Sequence, residues 1–431
     1  MKNDIFKNVL KLSGSTTITQ IMGILVLPIL SRIYSPENFG VYALFFSISN
    51  ILLIIATWQY DVAIVLPKKY EDSISLFFLS ILLLSLMSLI FFVILIFFKE
   101  YILDLFRLND LSNLFVLIPL HIAISGVYQS LRYLNSRNNA FGNTAKSSLV
   151  NSGLTYLSQV ILGILFLDGS GLVYGSIFGS LIGTIFLLIV SVKFISIKSL
   201  NFERLRIIMQ EYKKFPTITT LGSFLSGFGG QLPVLLLSSL FGAVYSGFYS
   251  IANKAISIPS RIIASSISEV SYKHTSDIIK NNKILSNYFE KSVAAIFQIS
   301  VIPFLIIFLF GEVLITILLG NEWATAGLYI QILSPMVFLQ FLSSPVGIFL
   351  QKGRNDLLLM WHFIYLISSA TGFTLGYIYG GPTLSIISFS TLLSLCYIIL
   401  IYLNFRLAKA SFKNVLYNIK TTFYIKKFLN L

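Results

Sequence analysis

The chain has 431 residues, 56% of them hydrophobic and 11% charged, with a mean hydropathy of +0.84. No soluble domain needs that much apolar surface, so the composition predicts a protein that crosses a bilayer many times. A net charge of +14 would otherwise suggest nucleic acid, but the cations sit in short loops between apolar runs, where membrane orientation accounts for them. The one cysteine, Cys396, lies inside an apolar run and excludes an intrachain disulfide.

The basic start, MKNDIFKNVLKLSGSTT, leads into an apolar run ending near Leu30 with no A-x-A cleavage site after it. It reads as a retained first helix rather than a signal peptide. Apolar runs of spanning length predict an all-α integral membrane protein of about twelve transmembrane helices. They fall near 10–33, 39–60, 74–98, 112–134, 146–167, 171–192, 216–240, 244–268, 292–311, 324–350, 357–379 and 383–405. Tight turns are expected near Asp168 and Gly381, and Glu312–Asn321 either extends the ninth helix or lies in the interface.

Of the 31 Lys and Arg, 26 fall at the termini and in one alternate set of loops and three (Arg32, Lys99, Arg107) in the other. The positive side is cytoplasmic, and an even helix count places both termini inside. The longest connections, 193–215 and 269–291, are both on that side. The first, basic and midway, suggests a linker between two six-helix lobes, 1–210 and 211–431, around a central cavity. At an offset of 207, Gly40 and Tyr42 fall on Gly247 and Tyr249, each pair opening the second helix of its half.

The two cations left over, Lys254 and Arg261, lie inside an apolar run, GFYSIANKAISIPSRIIASSISEV. Seven residues at about 100° each return to nearly the same face. Ser250, Lys254, Ser257, Arg261, Ser265 and Ser268 form one polar stripe. A charge at the centre of a membrane helix costs about 3 kcal/mol and usually faces a bundle interior or a wet cavity. The stripe is read as a cationic cavity wall; the alternative, snorkelling to the surface, suits Arg261 better than Lys254. Among other polar groups, Asp61 ends the second predicted helix, where it either pairs with a cavity cation, carries a proton, or is interfacial. Gln20 and Gln231 lie inside helices one and seven, placed to bond sugar hydroxyls or each other. Arg32 snorkels at the outer end of helix one, and Glu269 is solvated. Gly171, Gly175, Gly179 and Gly183 make a ladder spaced by four that fits close static packing. Pro28, Pro119, Pro233, Pro259, Pro303, Pro335 and Pro345 fall within predicted helices and can kink them.

No catalytic constellation stands out. His121, His274 and His362 are dispersed without metal spacing, and no GxxxxGK[ST] is present for ATP. Neither an enzyme nor a cofactor or metal requirement is expected.

Three stretches resemble the Wzx-type polysaccharide flippases of the multidrug/oligosaccharidyl-lipid/polysaccharide exporter superfamily. They are NVLKLSGSTTITQIMGILVLPILSRIYSPENFGVYALF, WQYDVAIVLPKKYEDS, and the second-half run from EYKKFP through SGFYSIANKAISIPSRIIASSISEV. The resemblance covers the first 75 residues and about 210 to 275. It implies two six-helix bundles in a V and outward transfer of undecaprenyl-pyrophosphate-linked glycan, such as O-antigen units, by alternating access. Lys254 and Arg261 would then offset the pyrophosphate charge, while Ser250, Asn253, Ser257, Gln20 and Gln231 replace water around sugars and Asp61 serves ion coupling. Polysaccharide polymerase machinery is an implied partner. Family members often carry Arg where this chain has Lys254, which keeps the charge but not a bidentate grip. The competing readings are a drug/cation antiporter of the same superfamily, which would prefer acidic cavity residues, and a glycan polymerase or ligase, which resembles proteins with a large outward loop.

Overall fold

The computed structural model describes residues 2–106, 111–166, 169–196, 202–257, 282–343 and 355–421. Every regular element among them is helical. Ten of the helices are long and apolar enough to cross a membrane. Of the two other expected spans, 244–268 is described as helix over 243–257, beyond which the residues lie outside the described set, and 357–379 falls in the helix Asn355–Tyr379. The chain divides into two compact units, Met1–Gly247 and Phe248–Leu431.

The first unit contains α1 (Lys2–Ile33), α2 (Pro36–Ala56), the single-turn α3 (Tyr60–Ala63), α4 (Tyr70–Phe97), α5 (Lys99–Phe106), α6 (Ile118–Arg137), α7 (Phe141–Phe166), α8 (Ser170–Ser191), α9 (Phe202–Glu211) and α10 (Thr220–Phe241). The sequence Ser-Pro-Glu-Asn breaks α1 from α2. Ser35 accepts from the Asn38 backbone N–H at 3.3 Å and Asn38 Oδ1 accepts from the Ser35 N–H at 3.1 Å, with Pro36 opening the helix. Leu44, Phe45, Leu84, Phe115, Ile122 and Val173 gather α2, α4, α6 and α8 into one core. A second core joins Tyr60, Leu76, Leu131, Leu187 and Ile208. On α4 the outer face is apolar too, with Leu82, Leu86, Leu89 and Phe92 exposed, as a helix facing lipid requires. Its serines do not interrupt this. Ser75, Ser80 and Ser85 each donate to the carbonyl four residues back, at 2.8–2.9 Å, which pairs these three hydroxyls within the helix. The glycine ladder of α8 packs against α7: a Cβ at Gly175 would come within 2.7 Å of the Gln159 amide nitrogen, and one at Gly183 within 2.6 Å of Asn151 Cβ.

The helix at 243–257, α11, begins in the first unit and continues into the second. The second unit holds α12 (Asn282–Leu319), α13 (Ala324–Ser343), α14 (Asn355–Tyr379), α15 (Gly381–Ala408) and α16 (Phe412–Thr421). α12 continues through Pro303 and through Glu312, so the segment of uncertain assignment extends the ninth span. Gly320, at φ +105°, ends it. The turn at Gly381 is present, between Tyr379 and the start of α15; the one at Asp168 lies outside the described residues, as do Pro259 and Pro345. The short α16 is tied down by Glu290, which is 5% exposed. Its carboxylate accepts from the Ser411 N–H at 2.7 Å and from Asn414 Nδ2 at 3.1 Å.

Candidate functional site

α11 buries one face and leaves the other open within its units. Ile251, Ala252 and Ile256 are at most 1% exposed. Phe248 meets Trp323 and Tyr329 edge-on at 6.1 and 6.4 Å, and Tyr249 meets Phe389 at 6.4 Å. These aromatic contacts set the rotation of the helix. The less buried residues include the polar ones: Asn253 is exposed, and Ser250, Lys254 and Ser257 are half-buried, as is Ala255. The Ser257 hydroxyl donates to the Lys254 carbonyl at 3.4 Å. Four of the polar residues expected to act together thus share two turns of one helix. Arg261, Ser265, Ser268, Glu269 and His274 lie outside the described residues, so the geometry of the Lys254–Arg261 pair does too.

The first unit holds the remaining candidates, each in its own setting. Gln231 on α10 accepts from the Ser47 hydroxyl of α2 at 2.8 Å, a bond that staples the two helices. Gln20 is half-buried on α1, which packs against α7. Arg32 is exposed and its guanidinium donates to the Pro28 carbonyl one turn back, as its position at a helix end predicts. His121 is a packed core histidine. Its Nε2 lies 3.0 Å from Ser125 Oγ, and the ring meets Phe45 and Phe46 at 5.7 and 4.7 Å. No group of three or more His, Cys, Asp or Glu among the described residues could hold a metal.

Asp61 differs most from expectation. The second span ends at Ala56, four residues sooner than the periodicity predicts. Trp58 and Gln59 follow with φ of +49° and +57°, a left-handed pair that turns the chain into α3. Gln59 holds the turn: its amide donates to the Ile54 carbonyl at 3.4 Å and its oxygen accepts from Ser223 at 3.4 Å. The result carries Asp61 inward to 0% exposure instead of to the interface. It meets neutral donors rather than a cation. Thr57 Oγ1 donates to one carboxylate oxygen at 2.8 Å and Gln129 Nε2 to the other at 2.6 Å. Burial pushes its pKa up, and the two hydrogen bonds offset only part of that.

Beside this pair is a recess of about 230 Å³ between the ends of α6 and α7, lined by Gln129, Arg132, Tyr133, Ser136, Phe141 and Thr144. Sequence reasoning missed it. The available signal was Gln129, an amide inside an apolar run one turn before Arg132.

The described residues are those of an all-helical protein with ten helices long and apolar enough to cross a membrane. The fold matches two solved structures closely in outline. One is an inward-facing multidrug resistance MATE family transporter of the MOP superfamily (TM-score 0.68, 13% identity, 96% of each chain). Another is the lipid II flippase MurJ in an inward closed conformation (TM-score 0.72, 16% identity, 95% of this chain and 89% of that one). The family described as polysaccharide biosynthesis protein matches residues 29–328, and the chain belongs to that family. A membrane protein from the cps region of Klebsiella pneumoniae, described as uncharacterized, is 24% identical over 359 residues, 80% of this chain and 71% of that protein. The resemblance to the polysaccharide flippases and the all-α fold are therefore borne out. The two solved structures that share the fold are themselves described as a transporter and a flippase.

Proposed function

We propose that the protein is a flippase that moves undecaprenyl-pyrophosphate-linked oligosaccharide units, such as O-antigen, from the cytoplasmic to the periplasmic leaflet of the bacterial inner membrane. The observation that carries this is the polar side of α11, with Lys254 on a helix whose other face is locked by aromatic packing, in a chain of the polysaccharide biosynthesis family. A flippase must hide a pyrophosphate and hydroxylated sugars from hydrocarbon while the lipid tail stays in lipid. Lys254 and Arg261 supply positive charge for the pyrophosphate; Ser250, Asn253, Ser257, Gln20 and Gln231 supply hydrogen bonds in place of water. Access to the substrate path alternates between the two leaflets. A membrane potential negative inside drives outward anion movement by about 2.3 kcal/mol per charge per 100 mV. Asp61 is the proposed ion-coupling group, since a buried carboxyl held only by neutral donors can take up and release a proton. The basic excess in the predicted spans favours an anionic cargo over the cations of an antiporter.

The test is complementation of a gene deletion. The wild-type gene should restore surface polysaccharide and clear lipid-linked units stranded inside. Lys254→Gln with Arg261→Gln should restore neither, at unchanged membrane abundance. Full restoration by that double variant removes both cations from the mechanism, and unchanged lipid-linked pools in the deletion strain remove the flippase reading altogether.

A further inference from the structure

We propose that the recess between α6 and α7 is a binding subsite for a single sugar residue of the transported glycan, an inference that rests on the flippase reading. Its volume, about 230 Å³, is below the roughly 300 Å³ at which pockets for drug-sized ligands begin, so it accommodates one ring rather than a whole repeat unit. Its lining is that of a neutral polyol site. Phe141 and Tyr133 offer aromatic surface to the apolar face of a sugar. Thr144 is 4% exposed and borders the recess, where its hydroxyl can donate to or accept from a sugar hydroxyl. Gln129 gives its amide N–H to Asp61 at 2.6 Å, which orients the amide oxygen as an acceptor for a sugar hydroxyl. Arg132 is exposed at the rim, 5.9 Å over the Tyr128 ring, and its planar fork suits a vicinal diol or a sugar carboxylate. A free phosphate is disfavoured: the one cation in the lining is offset by the Asp61 carboxylate behind Gln129. The same contact links occupancy of the recess to Asp61, because a hydroxyl donating to the Gln129 amide oxygen polarises the amide N–H that holds the proposed coupling carboxylate.

The experiment uses the full-length protein in cells that depend on it for surface polysaccharide. A photoreactive p-benzoylphenylalanine replaces Arg132 at the rim or, as a control, Leu157, which is 55% exposed on α7. Cells are fed tritiated glucose to label the glycan, irradiated, and the protein is purified. The expected result is at least tenfold more label at position 132 than at 157, and reduction to the control level when Ser136→Phe fills the recess in the same protein. Equal labelling at the two positions, or labelling at 132 that Ser136→Phe leaves unchanged, overturns the subsite while leaving the flippase reading intact. Failure of the wild-type gene to restore surface polysaccharide in these cells takes down the flippase reading and the subsite with it.

Discussion

Replacing Asp61 separates two effects that its burial combines. In Asp61→Ala, Thr57 Oγ1 and Gln129 Nε2 both lose their acceptor. Each buried donor left unpaired costs about 1–3 kcal/mol, so the pair predicts a loss of about 2–6 kcal/mol, enough to unfold many domains. Asp61→Asn keeps the shape and one acceptor oxygen; rotation of the Gln129 amide can restore the second contact, so the loss should be about 1 kcal/mol. The pH dependence runs in a defined direction. Burial raises the folded-state pKa of Asp61 above its ordinary 3.8. The folded protein therefore holds this proton more tightly than the unfolded chain does, and the associated stability is complete below about pH 4. It is lost as pH rises through the raised value, with a slope of up to about 1.4 kcal/mol per pH unit. Asparagine has no such term. Thermal unfolding of the detergent-purified proteins, scanned from pH 4 to pH 8 at one heating rate, should show the wild type losing its advantage over Asp61→Asn as pH increases. A difference between the two that stays constant across this range, or grows with pH, would refute the reasoning and remove Asp61 from ion coupling as well.

Other substitutions follow from the packing. Gly40→Ala or Gly247→Ala should destabilise by at least about 2 kcal/mol despite the better helix propensity of alanine, because the new methyl group meets the Ala243 or Pro36 carbonyl; reduced yield of monodisperse protein and a lowered unfolding midpoint would register it. Glu290→Ala frees the Ser411 N–H and the Asn414 amide, and should expose α16 to limited proteolysis while α12 remains protected. Arg204→Ala removes ion pairs with Glu71 and Asp72 that are partly exposed, so the midpoint should fall by the equivalent of less than about 1 kcal/mol, and by nothing at 1 M salt.

Hydropathy made the spans legible because lipid demands about twenty apolar residues from each, and this constraint leaves little room for alternatives. It was blind to what happens between spans. Nothing in WQYDVAIVLP announces that Trp58 and Gln59 adopt left-handed backbone, since neither residue favours it; the turn is held by tertiary partners, Ile54 and Ser223, that a linear reading does not bring together. Of the three readings left open for Asp61, its burial removes the interfacial one. Gln129 went unnoticed for a related reason: its significance comes from a carboxylate 68 residues earlier.

The two glycines matched at an offset of 207 residues meet in the structure. Two glycines at an offset of 207 residues are a weak signal as letters, because glycine is common and the match is short. In the structure the two stand at a single crossing of α2 with the start of α11: the Cβ position of Gly40 is taken by the Ala243 carbonyl, and that of Gly247 by the Pro36 carbonyl, with the Gly40 amide nitrogen 2.9 Å away. Each backbone occupies the space a side chain on the other would need. A change at either position alone therefore gains nothing from the other and clashes with the opposing main chain, which cannot rotate away as a side chain can. Two glycines that look independent in sequence are one steric requirement, and a double variant Gly40→Ala/Gly247→Ala should destabilise by less than the sum of the single changes, since the first separation of the helices already makes room for the second methyl group.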